Sequence, residues 1–221
     1  DDLFEDGIIY HYPDTNRGKS FDEGEINSVK KCREYDIPLF VISHSENNTS
    51  LRDVRLGWVE MWYDNAKEFL ISFSKQDNQS EQSLLNDSTF SAFDKTKTKK
   101  TTKISVRINQ GRFRLSVLNR YGCECAVCYV KNAKLLDAAH LVGKSNNGSD
   151  DPRNGIVLCK NHHAAFDKGL FYINPISLEL VFVDTSASDL MITKNDISHL
   201  KMKPHSLALE HRWKEFKAKK N

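Results

Sequence analysis

The sequence predicts an α+β protein in two parts, on three observations. The first 75 of its 221 residues mix short β-branched and aromatic runs with one amphipathic helical stretch. A polar, Lys-rich stretch follows. Beyond it, four of the five cysteines lie between Cys123 and Cys159, around an apolar strand, a polar loop, a second strand and a short helix. The expected organisation is a small mixed domain over residues 1–75, a linker over 76–103 and a second domain over 104–221.

Residues 7–12, GIIYHY, have strand composition. After a loop with Pro13, Asp14 and Gly18, residues 22–35 read as a helix. Ser20 or Asp22 is the candidate N-cap, acids stand early and bases late, and Ile26, Val29 and either Cys32 or Tyr35 supply an apolar face. PLFVIS (38–43), VRLGWVEMWY (54–63) and EFLISF (68–73) read as three further strands, the last two joined by a turn at DNAK. Residues 76–103 are rich in Ser, Thr, Asn, Gln and Lys, the composition of a tether. Its run KTKTKKTTK is either a soluble spacer or a strap that tracks phosphates. Residues 104–121 suggest an extended entry and then a helix. FYINP and LELVFVD suggest paired strands, and SLALEHRWKEFKAKK (206–220) an amphipathic helix with a basic end.

The net charge of +2 hides an asymmetry. Residues 1–90 hold 9 Lys and Arg against 18 Asp and Glu, a balance of −9; residues 91–221 hold 23 against 12, a balance of +11. A polyanion would meet the second part. No apolar run approaches the roughly 20 residues of a membrane span, so no membrane partner is expected. The opening DDLFEDG lacks the pattern of a secretory signal, and the absence of an initiator Met suggests a trimmed chain or a piece of a longer one. A cytoplasmic protein with reduced or metal-bound thiols is therefore expected, rather than a disulfide framework.

Two spacings carry chemistry: Cys125-x-x-Cys128 and Cys159-x-x-His162. A two-residue gap lets one tight turn aim two ligands at one ion, and two such turns complete the tetrahedral N/S set that zinc prefers. Cys123 is a spare whose spacing to Cys128 suits a knuckle less well. Between the pairs, LLDAAHLV carries Asp137 and His140, Asn154-Gly155 precedes the strand IVLC, and HHAAFDKG reads as a helix. On that helix His163 and Asp167 are four residues apart and share a face, where they can clamp a divalent ion.

With these residues in this order, the stretch of about residues 112–172 resembles the HNH nuclease family, the ββα-metal fold, in the branch common among bacterial restriction endonucleases. The similarity is strongest over LLDAAHL, DDPRNGIVLC and HHAAFDKGL. EHRWKEF is similar to a helix that often closes that branch. The resemblance implies a phosphodiester hydrolase acting on double-stranded DNA, with His140, Asn154 and His163 as its H, N and H. His140 would be the general base. Mg2+ or another divalent cation would sit near His163 and Asp167. Asn154 would hold the loop and orient His140, or reach the metal itself. Zinc on Cys125, Cys128, Cys159 and His162 would be structural. Many family members place a metal ligand immediately before the base, where this chain has Ala139. Asp137 either takes over part of that role or orients a neighbour. The other departure is His162 where the usual knuckle has Cys; were it a ligand of the catalytic metal, the zinc would keep three protein ligands.

The acidic N-terminal part clusters Tyr10, Tyr12, Trp58, Trp62 and Tyr63. Aromatic rings with a carboxylate can cage a flipped base, and Tyr10, Tyr12, Trp58 and Trp62 are the base-reading candidates; the alternative is that these rings are core. The layout loosely resembles PUA-like modules, including SRA and EVE domains, which are fused to HNH units in modification-dependent restriction enzymes. The leading expectation is a restriction or defence nuclease whose N-terminal reader selects modified cytosine, acting as a homodimer if it cuts both strands. The competing expectations are a non-catalytic zinc-ribbon DNA-binding module, and an HNH toxin or nickase whose N-terminal half binds protein.

Overall fold

A computed structural model describes residues 2–45, 50–75, 90–94 and 105–220. The Lys-rich run at 95–103, and the rest of the predicted linker apart from 90–94, lie outside the described residues. The chain divides into two compact units. One comprises Asp1–Ser80 with Lys100–Leu115, the other Glu81–Lys99 with Ser116–Asn221. Both mix helix and sheet, in keeping with the α+β expectation. No helix among the described residues is long and apolar enough to cross a membrane.

The first unit is built on a five-stranded antiparallel sheet. Its strands are β1 (Asp2–Leu3), β2 (Gly7–His11), β3 (Leu39–His44), β4 (Arg52–Tyr63) and β5 (Glu68–Ser72), in the order β1-β2-β5-β4-β3. Helix α1 (Lys19–Glu34) covers one face. Its Ile26, Val29 and Cys32 pack on Ile8, Val59, Phe69 and Ile71, whereas Tyr35, the other candidate for this stripe, is exposed. Each large side chain buried there contributes about 1.5–3 kcal/mol.

The helix starts earlier than its pattern suggests. Gly18, at φ 102, is the N-cap and offers no side chain to the first turn. Ser20 and Asp22 therefore lie inside the helix, and neither is the cap. Asp22 accepts instead from the Thr15 amide at 2.8 Å and the Thr15 hydroxyl at 2.7 Å, which ties the preceding loop to the first turn.

Strand β4 is longer than expected and slips register between Val59 and Met61. The bulge sits at Glu60, whose carboxylate takes a two-point ion pair from Arg112 at 2.7 and 2.6 Å. Arg112 lies on α2 (Ser105–Tyr121), which is helical over its whole length where an extended entry was expected. Up to Leu115 this helix belongs to the first unit, where Leu115 packs with Ile9 and Leu70. Gly111 allows the approach: a Cβ there would stand 3.0 Å from the Ile9 side chain.

The second unit carries the Cys/His constellation. Strands β6 (Leu136–His140) and β7 (Gly155–Cys159) pair antiparallel, with Leu136 opposite Cys159 and His140 opposite Gly155. Helix α3 (Lys160–Asp167) leaves β7 without a break. Strands β8 (Phe171–Ile173) and β9 (Leu180–Phe182) form the expected hairpin, and α4 (Ser206–Lys220) the expected terminal helix. Leu118, Leu136, Leu141, Ile156, Leu158, Phe166 and Phe171 are fully buried here. Part of the stretch read as linker joins this unit: Phe93 bridges Gly148, and Phe90 stacks on His205 with ring centroids 3.9 Å apart.

Candidate functional site

The turn after α2 brings Cys125 and Cys128 beneath the β6–β7 hairpin, because the Ala126 amide donates to the Val157 carbonyl at 2.8 Å. Cys159 closes β7, and the first turn of α3 swings His162 back toward it. The ligand atoms of Cys125, Cys128, Cys159 and His162 all lie within 4.8 Å of one another, and all four residues are buried. His162 Nδ1 stands 3.6 Å from Cys125 Sγ and 3.1 Å from Cys159 Sγ. Its Nε2 meets the Leu190 carbonyl at 2.9 Å, which places the ring proton on Nε2 and the lone pair on Nδ1, toward the sulfurs.

Burial pushes the Cys159 thiol up to about 11; the His162 amide opposes this and the neighbouring sulfurs add to it. A dication among the sulfurs reverses that preference, and three thiolates with one imidazole are a donor set that zinc fits. Cys123 stays outside the set, its sulfur directed to the Lys131 carbonyl at 3.3 Å.

The other constellation straddles β6, β7 and α3. Asp137 Oδ2 lies 2.9 Å from His163 Nδ1, and Asp167 Oδ2 lies 3.4 Å from His163 Nε2. The imidazole thus stands between two carboxylates. The hydrogen bond to Asp137 raises His163 above its ordinary value, against burial, and both carboxylate charges add to the rise. The two carboxylates meet opposite nitrogens of the ring, so these three side chains do not converge on one point as the Cys/His set does, although their oxygen and nitrogen donors are of the type a hard divalent cation takes. Ala139, where many family members carry a ligand, is fully buried and offers none; the Asp137 carboxylate, two residues earlier, meets His163.

His140 ends β6 with its side chain 17% exposed, and its Nε2 meets Asp150 Oδ1 at 3.0 Å. Asn154 is fully buried. Its Oδ1 accepts from the Val142 amide at 3.0 Å, and its Nδ2 donates to the carbonyls of Val142 and Ser149 at 3.1 and 2.9 Å. These bonds engage the side-chain amide with the backbone of the loop between β6 and β7.

Sequence reasoning missed Asp150 and Lys144. Burial by itself would raise Asp150, but hydrogen bonds from His140 and Lys144 outweigh it and hold the carboxyl below its ordinary value. The doublet Asp150-Asp151 ahead of Pro152 was a usable signal. Asp151 is spent capping the 3-10 turn Pro152–Asn154 through the Arg153 amide, which leaves its neighbour to act elsewhere.

The base-reading candidates are elsewhere, in the first unit. Tyr10, Tyr12 and Trp62 gather on the ring of Phe69 at 6.2, 4.6 and 6.4 Å between centroids. Trp58 lines a small, solvent-open depression with Cys32, Arg33, Asp36, Ile37, Val59, Glu60 and Lys75.

Residues 125–174 match the HNH endonuclease family model. This segment is similar to HNH endonuclease domains. The match takes in both Cys/His pairs, His140, Asn154, His163 and Asp167. No curated protein matches the chain. Among solved structures, a modification-dependent TagI restriction endonuclease is similar over 97% of this chain and 76% of its own, at 16% identity and a TM-score of 0.40.

Proposed function

We propose that this protein is a divalent-metal-dependent DNA endonuclease whose HNH domain hydrolyses phosphodiester bonds. The observation that carries the reading is the pairing of His140 with Asp150 on the same hairpin that brings Asp137 to His163. A zinc-binding module needs neither arrangement.

In this reading the chain's residues divide the work. His140 takes a proton from water as its oxygen bonds to phosphorus. The bond from phosphorus to the 3′ oxygen breaks, the electron pair leaves with that oxygen, and a proton from the medium completes the 3′-hydroxyl, leaving a 5′-phosphate. Asp137, His163 and Asp167 would hold the divalent cation, which supplies stabilisation of negative charge on the phosphoryl and leaving oxygens. Asn154 holds the loop, and the zinc set holds the hairpin to α3. The excess of basic residues beyond residue 90 suits a DNA partner.

The finer reading is a restriction nuclease of the bacterial defence type whose N-terminal unit reads a modified base such as modified cytosine. Trp58 supports it best, because it lines a small, open depression together with charged groups able to meet a base edge. Tyr10, Tyr12 and Trp62 pack around Phe69, a contact that favours a supporting role for them. Two HNH domains, one from each copy of a homodimer, would cut both strands.

The test is cleavage of plain, methylated, hydroxymethylated and glucosylated duplexes with Mg2+ or Mn2+. Preference for one modified duplex, lost in Trp58→Ala with cleavage chemistry intact, supports the reader. Equal cutting of all four leaves a nuclease or nickase without that reader. Binding without cutting leaves the zinc-ribbon module.

A further inference from the structure

The loop between β6 and β7 holds Asp150 against His140 by more than the ion pair itself. On one side of Asp150, the Ser149 carbonyl accepts from Asn154 Nδ2 at 2.9 Å, the Ser149 amide donates to the Ala92 carbonyl at 3.0 Å, and its hydroxyl donates to the Ser91 carbonyl at 2.7 Å. On the other side, Asp151 caps the 3-10 turn. One residue before Ser149, Gly148 passes so close to the chain just beyond β6 that a Cβ would stand 1.7 Å from the Val142 carbonyl oxygen. Only glycine fits this crossing without a shift of backbone.

The carboxylate that this loop delivers is shared between two cationic partners. Oδ1 meets His140 Nε2 at 3.0 Å and Oδ2 meets Lys144 Nζ at 2.8 Å, while Lys144 also reaches Asp94 Oδ2 at 3.1 Å. An ion pair between loose surface side chains contributes little. Here the backbone on both sides of the acid is fixed, and His140 is largely buried, so the contact can set the orientation of the ring.

Resting on the hydrolytic reading above, we propose that Asp150 is the positioning residue of His140. It accepts the Nε2 proton, so the ring takes the tautomer whose acceptor is Nδ1, and Nδ1 is the atom that receives the proton from the attacking water. Asp150 then faces the imidazolium formed in that step. Lys144 has the opposite effect: it draws on the same carboxylate and weakens its hold on the ring. Lys144 and, through it, Asp94 are charged groups set against this pair.

The experiment compares the parent chain with Asp150→Asn, Asp150→Glu and Lys144→Met in Mn2+-supported cleavage across pH, with ring nitrogen NMR of His140 in the full chain. Asp150→Asn should lower kcat by about 10- to 100-fold, the usual range for a partner that orients a working imidazole, with KM for DNA unchanged or lower. The acidic limb of log(kcat/KM) should move to lower pH in Asp150→Asn and to higher pH in Lys144→Met. Asp150→Glu should recover part of the rate. The parent ring should show the Nε2–H tautomer, and Asp150→Asn should lose that preference. Equal kcat, equal limbs and equal tautomers in parent and Asp150→Asn would overturn the proposal. If the parent cuts no DNA, the hydrolytic reading fails, and Asp150 falls with it as a positioning residue; the NMR comparison then still shows whether Asp150 sets the ring.

Discussion

Asn154 pairs with the peptide of Val142 as one strand pairs with another. Its side-chain carbonyl accepts the Val142 amide at 3.0 Å, and its side-chain NH2 donates to the Val142 carbonyl at 3.1 Å. The bond from the Asn154 backbone carbonyl to the Leu141 amide, 2.9 Å, extends the ladder. A loop that must leave β6 just after His140 and return at β7 is thereby closed by one fully buried amide. His140 and Asp150 lie on either side of that closure.

Asn154→Ala strands the Val142 amide and two carbonyls in a buried setting, so it should destabilise the second unit by about 2–4 kcal/mol. Denaturant unfolding measures this. Asn154→Asp keeps the acceptor, loses both donors and buries a charge, and should be no better. A loss under half a kcal/mol in Asn154→Ala would show that the closure is not structural.

Gly148→Ala adds one methyl group against the Val142 carbonyl. The loop must shift, and Asp150 with it. The expected result is a fall in Tm of about 5 °C together with reduced cleavage, although residue 148 contacts no reacting group. Unchanged Tm and rate would mean that the crossing tolerates a Cβ.

Metal analysis should find about one tightly held zinc per chain. Cys159→Ser should lose it together with cooperative unfolding of the second unit, since the ligands join the turn after α2, the end of β7 and the start of α3. Cys123→Ser should keep the zinc, its sulfur lying outside the set. A folded, zinc-free parent chain would contradict the assignment.

The first unit should carry an acid-sensitive tie at Asp64. Burial alone raises this carboxyl, but hydrogen bonds from Lys30, Tyr12 and Trp62 prevail and hold it below its ordinary value. A depressed folded-state value means that the contribution is present above the unfolded carboxyl value of 3.8 and is lost as pH falls through the lower, folded one. Asp64→Asn should therefore flatten stability against pH in that acidic window and leave the slope near neutrality alone. An identical acid slope in the variant would rule out this tie.

What the sequence disclosed follows from how local each feature is. The clustering of Cys125, Cys128, Cys159 and His162 was legible because two x-x spacings fix two turns, whatever the rest of the fold does. The helical stripe Ile26, Val29 and Cys32 was legible by its period, and it packs on the sheet as expected. The start of α1 was not: Gly18 begins it without a side-chain cap, while Asp22 serves the loop. The bulge in β4 was hidden for a similar reason. Glu60 reads as one more alternating residue until its ion pair to Arg112, 52 positions away, is known. Asp150 was missed because its role depends on a loop crossing at Gly148 that no periodic pattern records. The aromatic cluster shows the reverse limit: composition gathered Tyr10, Tyr12, Trp58 and Trp62 into one set, and the sheet separates Trp58 from the rings around Phe69.

The most direct measurement is a cleavage assay of duplex DNA by the intact chain and by His140→Ala, each with Mn2+ and with EDTA. The account predicts metal-dependent cutting by the parent and a rate lower by about 10^2- to 10^4-fold in His140→Ala, with DNA binding, zinc content and Tm unchanged. Equal cutting by the two proteins, or cutting by the parent that persists in EDTA, would contradict it.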